Sequence, residues 1–179
     1  GQAMRAGYVI EQMRRLVRHE PGSWAPVAPN RLVRDLLVLV EPVVRHHGAE
    51  LQLDLAAELP AVRGDPVRLQ QLLMLLFRNA LDAIAGQPPG QRHVTFSSCS
   101  HLGQVTLAVT DSGPGVPDEA VPQLFQPFFS TKHGGTGLGL AAGRSIAAEH
   151  GGELYFRNLP AGGARFWVEL PAMRETDTA

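Results

Sequence analysis

Met4, Tyr8, Ile10, Met13, Leu16 and Val17 recur among arginines at roughly helical spacing, so residues 3–18 predict an amphipathic helix whose apolar stripe needs a partner. Pro21 and Gly22 end it, and Trp24 to Pro29 predicts a short strand. Asn30 reads as the N-cap of a helix from Arg31 to about His46, stopped by Gly48. At Leu51, Leu53 and Leu55 the period drops to two, as in a half-buried strand. Asp65-Pro66 is a strong helix start, a capping side chain followed by proline at the first helical position. The leucine-rich helix it opens runs to about Ala85, where Gly86 and two prolines stop it; its apolar run from Leu72 to Phe77 predicts a central buried helix.

Two strands follow, His93 to Ser98 and Gly103 to Thr110, with Cys99 to Leu102 as the turn. Residues 112–136 are rich in Gly and Pro, and a connection of that length in a compact domain is functional or disordered. A helix from Leu138 to His150 ends at Gly151-Gly152. Strands Glu153 to Arg157 and Arg165 to Leu170 flank a Pro-Ala-Gly-Gly turn, and the tail after Pro171 predicts disorder. Together these elements suggest a two-layer α/β sandwich, one mixed sheet covered on one face by helices.

Composition narrows the function. At 179 residues with 44% hydrophobic side chains, the chain has enough apolar material for one domain plus a short extension. A net charge of −1 gives no basic footprint for nucleic acid. The single cysteine, Cys99, excludes an intramolecular disulfide and a multi-cysteine metal site, and suits a reducing compartment. No apolar stretch approaches membrane-spanning length. Lys132 is the only lysine, and it falls in the glycine-rich loop, where a compact charge suits phosphate.

Four segments carry candidate chemistry. Asn79, on the leucine-rich helix, offers a neutral carbonyl oxygen to a hard cation such as magnesium; alone, it reads first as an ordinary exposed or capping amide. Asp111 ends a strand before Ser-Gly-Pro-Gly, where a carboxylate can accept from an exocyclic amine or simply initiate a turn. Phe125 to Lys132 combines three phenylalanines, anchors for a lid or for plain burial, with Ser130, Thr131 and Lys132. Gly135, Gly137 and Gly139 alternate into a helix start, where converging backbone N–H groups and the helix dipole favour phosphate. No P-loop, dinucleotide fingerprint, nucleophile elbow or His-Glu-x-x-His pattern is present.

In this order, NALDA, DSGPG, FQPFFSTK and GTGLGL, the motifs resemble the nucleotide-binding domain of bacterial sensor histidine kinases, in the GHKL ATPase superfamily. The resemblance runs from about Asn30 to Pro171 and includes the closing GGARFWVELP. It implies an α+β fold of the Bergerat type, a mixed, mostly antiparallel sheet covered on one face by helices. It implies that Asn79 ligates Mg2+ bridging the phosphates of ATP, and that Asp111 binds the adenine amine, with Gly113 and Gly115 letting backbone approach the base. Asp82, Phe128, Ser130, Thr131, Lys132, Gly135, Thr136, Gly137, Leu138 and Gly139 complete the implied nucleotide site, and residues 112–136 become an ATP lid, mobile without nucleotide. Asn79 and Lys132 are the implied catalytic pair.

The same likeness divides the chain into residues 1–20, the end of a helical dimerisation and phosphoacceptor domain, 21–172, the ATP-binding catalytic domain, and 173–179, a disordered tail. Its implied partners are that histidine-bearing domain and a response-regulator receiver domain, in a homodimeric, cytoplasmic or membrane-anchored protein. His19-Glu20-Pro21 only superficially fits a phosphoacceptor motif, so the acceptor histidine is expected elsewhere; His133, in the lid, is placed to approach phosphate. One departure matters: kinases of this type usually carry a second asparagine four residues before Asn79, and here that residue is Leu75. No base for hydrolysis is evident, and phosphotransfer could be weakened. A nucleotide-sensing module without catalysis and an anti-sigma-type serine kinase are the alternatives.

Overall fold

The computed structural model describes residues 24–131 and 135–174. The helix expected over residues 3–18, Lys132, His133 and the last five residues lie outside them. In chain order the elements are β1 (Ala25–Val27), α1 (Pro29–His46), β2 (Glu50–Leu55), β3 (Val62–Gly64), α2 (Pro66–Ile84), β4 (His93–His101), β5 (Gln104–Asp111), a 3₁₀ turn (Asp118–Gln123), α3 (Gly139–Glu149), β6 (Glu153–Asn158) and β7 (Ala164–Pro171).

Five strands form one sheet in the order β2-β4-β5-β7-β6. β2 runs parallel to β4, and the remaining neighbours are antiparallel. The three helices cover one face, giving the expected two-layer α+β sandwich. Period-two alternation sorts the sheet: Val94 and Phe96 of β4, Val105, Leu107 and Val109 of β5, and Phe166, Val168 and Leu170 of β7 are buried beneath the helices. Leu69, Leu72, Leu73, Leu76, Phe77, Ala80 and Ile84 recur at three- and four-residue steps on α2 and are buried too. Phe77 stacks on Phe96 with ring centroids 5.9 Å apart, joining the central helix to the sheet. Each such valine, leucine, isoleucine or phenylalanine contributes about 1.5–3 kcal/mol by leaving water.

The start of α2 is as its sequence predicts. Asp65 caps it, its carboxylate accepting from the N–H groups of Val67 (2.9 Å) and Arg68 (3.4 Å), with Pro66 in the first turn. The N–H of Asp65 itself donates to Nε2 of buried His150, 3.0 Å away, while Nδ1 of that ring lies 2.7 Å from the Ile146 carbonyl. Nδ1 is therefore the protonated nitrogen, and one neutral histidine ties the start of α2 to the end of α3.

Three expectations need correction. Asn30 is not the cap of α1: Pro29 occupies the first turn, and the cap falls to Ala28, without a side-chain hydrogen bond. Asn30 is buried inside the helix, where its amide donates to the Ala56 carbonyl (2.7 Å) and accepts from the Ser98 hydroxyl (2.7 Å). It pins α1 to β2 and β4. β4 runs on through His101, and the turn tightens to Leu102-Gly103, both at positive φ (48° and 76°). Order does not stop at Pro171 or Ala172: Ala172 bridges to Val62, and the Met173 N–H donates to the Ala61 carbonyl (2.7 Å). β3 and the 3₁₀ turn were not legible, each being too short to show a period.

Candidate functional site

Four of the segments singled out in the sequence meet at one end of the sheet, over the second half of α2. Asp111 is the last residue of β5 and stands directly opposite Val94 of β4 and Ala164 of β7, so its side chain is on the helix-covered face. It is 4% exposed, and one carboxylate oxygen accepts from the Gly113 N–H at 2.8 Å. That bond fixes the carboxylate at the root of the loop it opens.

The loop is held close to its surroundings. A β-carbon on Gly113 would stand 2.8 Å from the Ala83 carbonyl, so the chain passes against the last turn of α2. Ser112 is stitched to β4: its N–H donates to the His93 carbonyl (3.1 Å), its hydroxyl donates to the Gln91 carbonyl (2.6 Å), and that oxygen accepts from the His93 N–H (2.9 Å). On the far side, the Asn158 amide grips Val116.

The glycine-rich segment comes back to the same helix. Gly139 is the first residue of α3, and its cap position, Leu138, supplies no side-chain hydrogen bond; the N–H groups of a first helical turn suit an anionic acceptor. A β-carbon on Gly139 would lie 3.9 Å from Leu75 Cδ2, one turn before Asn79. The amides that open α3 therefore sit over the turn of α2 that carries Leu75 and Asn79. Asn79 is half-buried and Asp82, one turn further on, is exposed. Gly137, at φ +66°, fits against the Phe128–Phe129 backbone, where a β-carbon would meet Phe128 C at 2.4 Å. Its carbonyl accepts from the Phe128 N–H (3.0 Å), clasping lid to glycine loop. Phe128 itself is at φ 67° and 80% exposed, and Ser130, Thr131, Gly135 and Thr136 are exposed beside it.

The structure thus brings together Asn79, Asp111, Gly113, Gly115, Gly137, Leu138 and Gly139, while Lys132 lies outside the described residues. Sequence reasoning missed Ser112, Asn158 and Gly163. Their roles depend on partners 19 to 52 residues away, and no local signal marks them. Among the described residues no group of three or more His, Cys, Asp or Glu could hold a metal ion. The donors present suit a cation that arrives with its own oxygen ligands, as magnesium does on polyphosphate, better than an all-protein cage.

A cleft between a strand-end carboxylate and a glycine-rich helix N-terminus, built on one leucine-rich helix, defines a class. Residues 64–174 match the family described as histidine kinase-, DNA gyrase B- and HSP90-like ATPases, and the chain belongs to it. Within that family it falls with the sensor histidine kinases. It is 33% identical to the sensor histidine kinase TmoS of Ectopseudomonas mendocina over 93% of this chain and 17% of TmoS, and 34% identical to the sensor protein FixL of Bradyrhizobium diazoefficiens over 97% of this chain and 34% of FixL. The chain thus spans about a third or less of these relatives. The catalytic domain of histidine kinase ThkA superposes with a TM-score of 0.74 at 32% identity, covering 84% of this chain and 96% of that one. ThkA in complex with the response regulator protein TrrA superposes at 0.78 with 25% identity, over 96% of this chain and 48% of that one.

Proposed function

We propose that this chain is the part of a two-component sensor kinase that binds ATP and delivers its γ-phosphoryl group to a histidine in another domain, from which a response-regulator aspartate receives it. The observation that carries the reading is the pairing of buried, oriented Asp111 with the glycine-rich start of α3 across one helix. A buried carboxylate held in place by a backbone N–H is an acceptor suited to an exocyclic amine such as that of adenine. The amides of α3 receive phosphate oxygens without any change in the helix.

Phosphoryl transfer asks the protein for position and charge neutralisation more than for covalent chemistry. Asp111, Gly113 and Gly115 fix the base, and Gly135, Thr136, Gly137, Leu138 and Gly139 take the phosphates. Asn79, with Asp82 beside it on the helix, holds the side from which Mg2+ enters; magnesium when bound would draw charge from the phosphate oxygens. Lys132, Ser130 and Thr131 add donors from the lid, and Phe128 lies at its root. Leu75 puts hydrocarbon under Gly139 where a base for water would otherwise stand, so water is not activated and the phosphoryl group is kept for the histidine. The same leucine favours one second reading, a nucleotide-sensing module that does not transfer.

The test is a nucleotide titration with and without Mg2+, on the intact chain, Asp111→Ala and Asn79→Ala. ATP binding is expected to fall at least a hundredfold in D111A, as for a hydrogen-bonded charged anchor left out of its pocket. N79A is expected to bind ATP but to lose the magnesium dependence. Adding the histidine-bearing domain with labelled ATP separates the two readings: label on histidine supports the kinase, and tight binding without transfer supports the sensor. A wild-type chain indifferent to adenine nucleotides rejects both.

A further inference from the structure

Asn158 makes the hydrogen bonds of a strand neighbour with a side chain. Its Nδ2 donates to the Val116 carbonyl at 2.7 Å, and its Oδ1 accepts from the Val116 N–H at 2.8 Å. Both polar groups of one loop residue are thus satisfied by one amide, 42 positions later in the chain. Val116 closes the loop that Asp111 opens, and the flanking Pro114 and Pro117 have no N–H to contribute to any other anchor.

The sheet register gives this clamp its place. Asn158 stands opposite Ala164, which stands opposite Asp111. The three side chains form one row across the sheet end on the helix-covered face, with acidic and amide groups at the sides and only a methyl between. The loop arches over this row through Gly113 and Gly115. Gly115, at φ +80°, passes so near the amide that a β-carbon there would lie 2.7 Å from Asn158 Oδ1. Below, the turn after Asn158 is closed by the Leu159 N–H to the Gly163 carbonyl (3.0 Å) and the Gly162 N–H to the Leu159 carbonyl (3.0 Å). It packs Gly163 against the Asp111 carbonyl.

We infer that Asn158 is a positioning residue for the nucleotide base: it holds the Gly113–Gly115 arch at the spacing from the sheet at which Asp111 and the arch backbone meet the purine. This rests on the reading of the cleft as an adenine-nucleotide site. Only an amide of this length supplies donor and acceptor together; aspartate keeps acceptance from the Val116 N–H but sets a carboxylate oxygen against the Val116 carbonyl. Loss of the clamp acts on the base and not on the phosphates, because α3 and Asn79 are held by the packing of α2.

The experiment compares the 179-residue chain with Asn158→Ala and Asn158→Asp, measuring equilibrium binding of ATP, GTP and adenosine with and without Mg2+, alongside thermal unfolding. In N158A the affinities for ATP and adenosine should fall by the same factor, about tenfold, with a reduced preference for ATP over GTP and an unchanged magnesium dependence. N158D, isosteric but with a carboxylate oxygen set against the Val116 carbonyl, should show the same pattern and carries the test if N158A fails to fold. A lowered unfolding temperature with adenosine and ATP affinities unchanged overturns the inference, as does a loss confined to ATP. If the wild-type chain binds ATP, such results leave the proposed function standing; if it binds no adenine nucleotide at all, both fall.

Discussion

The two sides of the cleft are built differently. On the proposed base side, from Asp111 to Val116, the loop is anchored by hydrogen bonds to fixed elements: Gly113 to Asp111, Ser112 to Gln91 and His93, Val116 to Asn158. On the phosphate side, among the described residues from Phe128 to Gly139, the Phe128 N–H donates to the Gly137 carbonyl and the Phe129 N–H to the Gln126 carbonyl, while Phe128, Thr131, Gly135 and Thr136 are exposed and Ser130 is half-buried. Preformed geometry suits a ligand part that never changes, the adenine ring. A solvent-exposed segment suits the part that does, since on the proposed function a triphosphate becomes a diphosphate and must be released. On the proposed function, stability and base recognition are coupled on one side, while triphosphate binding is separable from stability on the other.

Gly163→Ala strikes the base side hardest. Gly163 is at φ +90°, and a β-carbon would stand 2.0 Å from the Asp111 carbonyl, which belongs to β5. Neither partner can yield without parting β5 from β7 at the row that carries Asp111. Positive φ alone costs a non-glycine residue about 1–2 kcal/mol, and the clash adds to it, so a loss of at least about 3 kcal/mol is expected in denaturant unfolding. Of a typical 5–15 kcal/mol for a domain this is a large share, and nucleotide binding should fall with it. A stability change under about 1 kcal/mol would mean that the close approach of turn and strand is not present.

Gly137→Ala makes the matching change on the phosphate side. The added carbon would meet Phe128 C at 2.4 Å, a clash as definite as that at Gly163. Here the opposing backbone belongs to a lid with exposed side chains, which can move off without opening the core. Unfolding free energy is expected to drop by about 1 kcal/mol, the local strain alone, while ATP affinity falls about tenfold and adenosine affinity holds. An equal loss for ATP and adenosine would erase the distinction between the two sides.

How much of this was legible in the sequence follows from the same contrast. Asp65-Pro66 at the start of α2, the two-residue period of the sheet strands and the glycines before α3 are local signals, and local chemistry decides them. Asn30 misled because capping logic sees only neighbours in sequence: Pro29 had already taken the first turn, and the amide was used by Ala56 and Ser98, 26 and 68 residues on. Asn158 before Leu-Pro reads as an ordinary turn residue, and nothing near it names Val116. Gly162-Gly163 reads as a permissive turn, whereas the fold needs Gly163 because a strand carbonyl fills the space. The motifs proposed to bind nucleotide were visible; the residues that hold those motifs in place were not.

The smallest effect is expected where strain is present and contact is not. Phe128 occupies the left-handed region at φ 67° with its ring 80% exposed, so its side chain adds little burial to offset the backbone. Phe128→Gly removes about 1–2 kcal/mol of native strain. It also widens the unfolded ensemble, which opposes this by about 0.5–1 kcal/mol. The net result should be a slight stabilisation, under about 1 kcal/mol, in denaturant unfolding without nucleotide. With ATP present the variant reports whether the ring meets the nucleotide: an affinity loss of several-fold at unchanged stability places Phe128 on the ligand, and unchanged affinity leaves the strain serving the lid's shape alone. A marked destabilisation without nucleotide would show that the lid is anchored like the base side, and the contrast between the two sides would have to be given up.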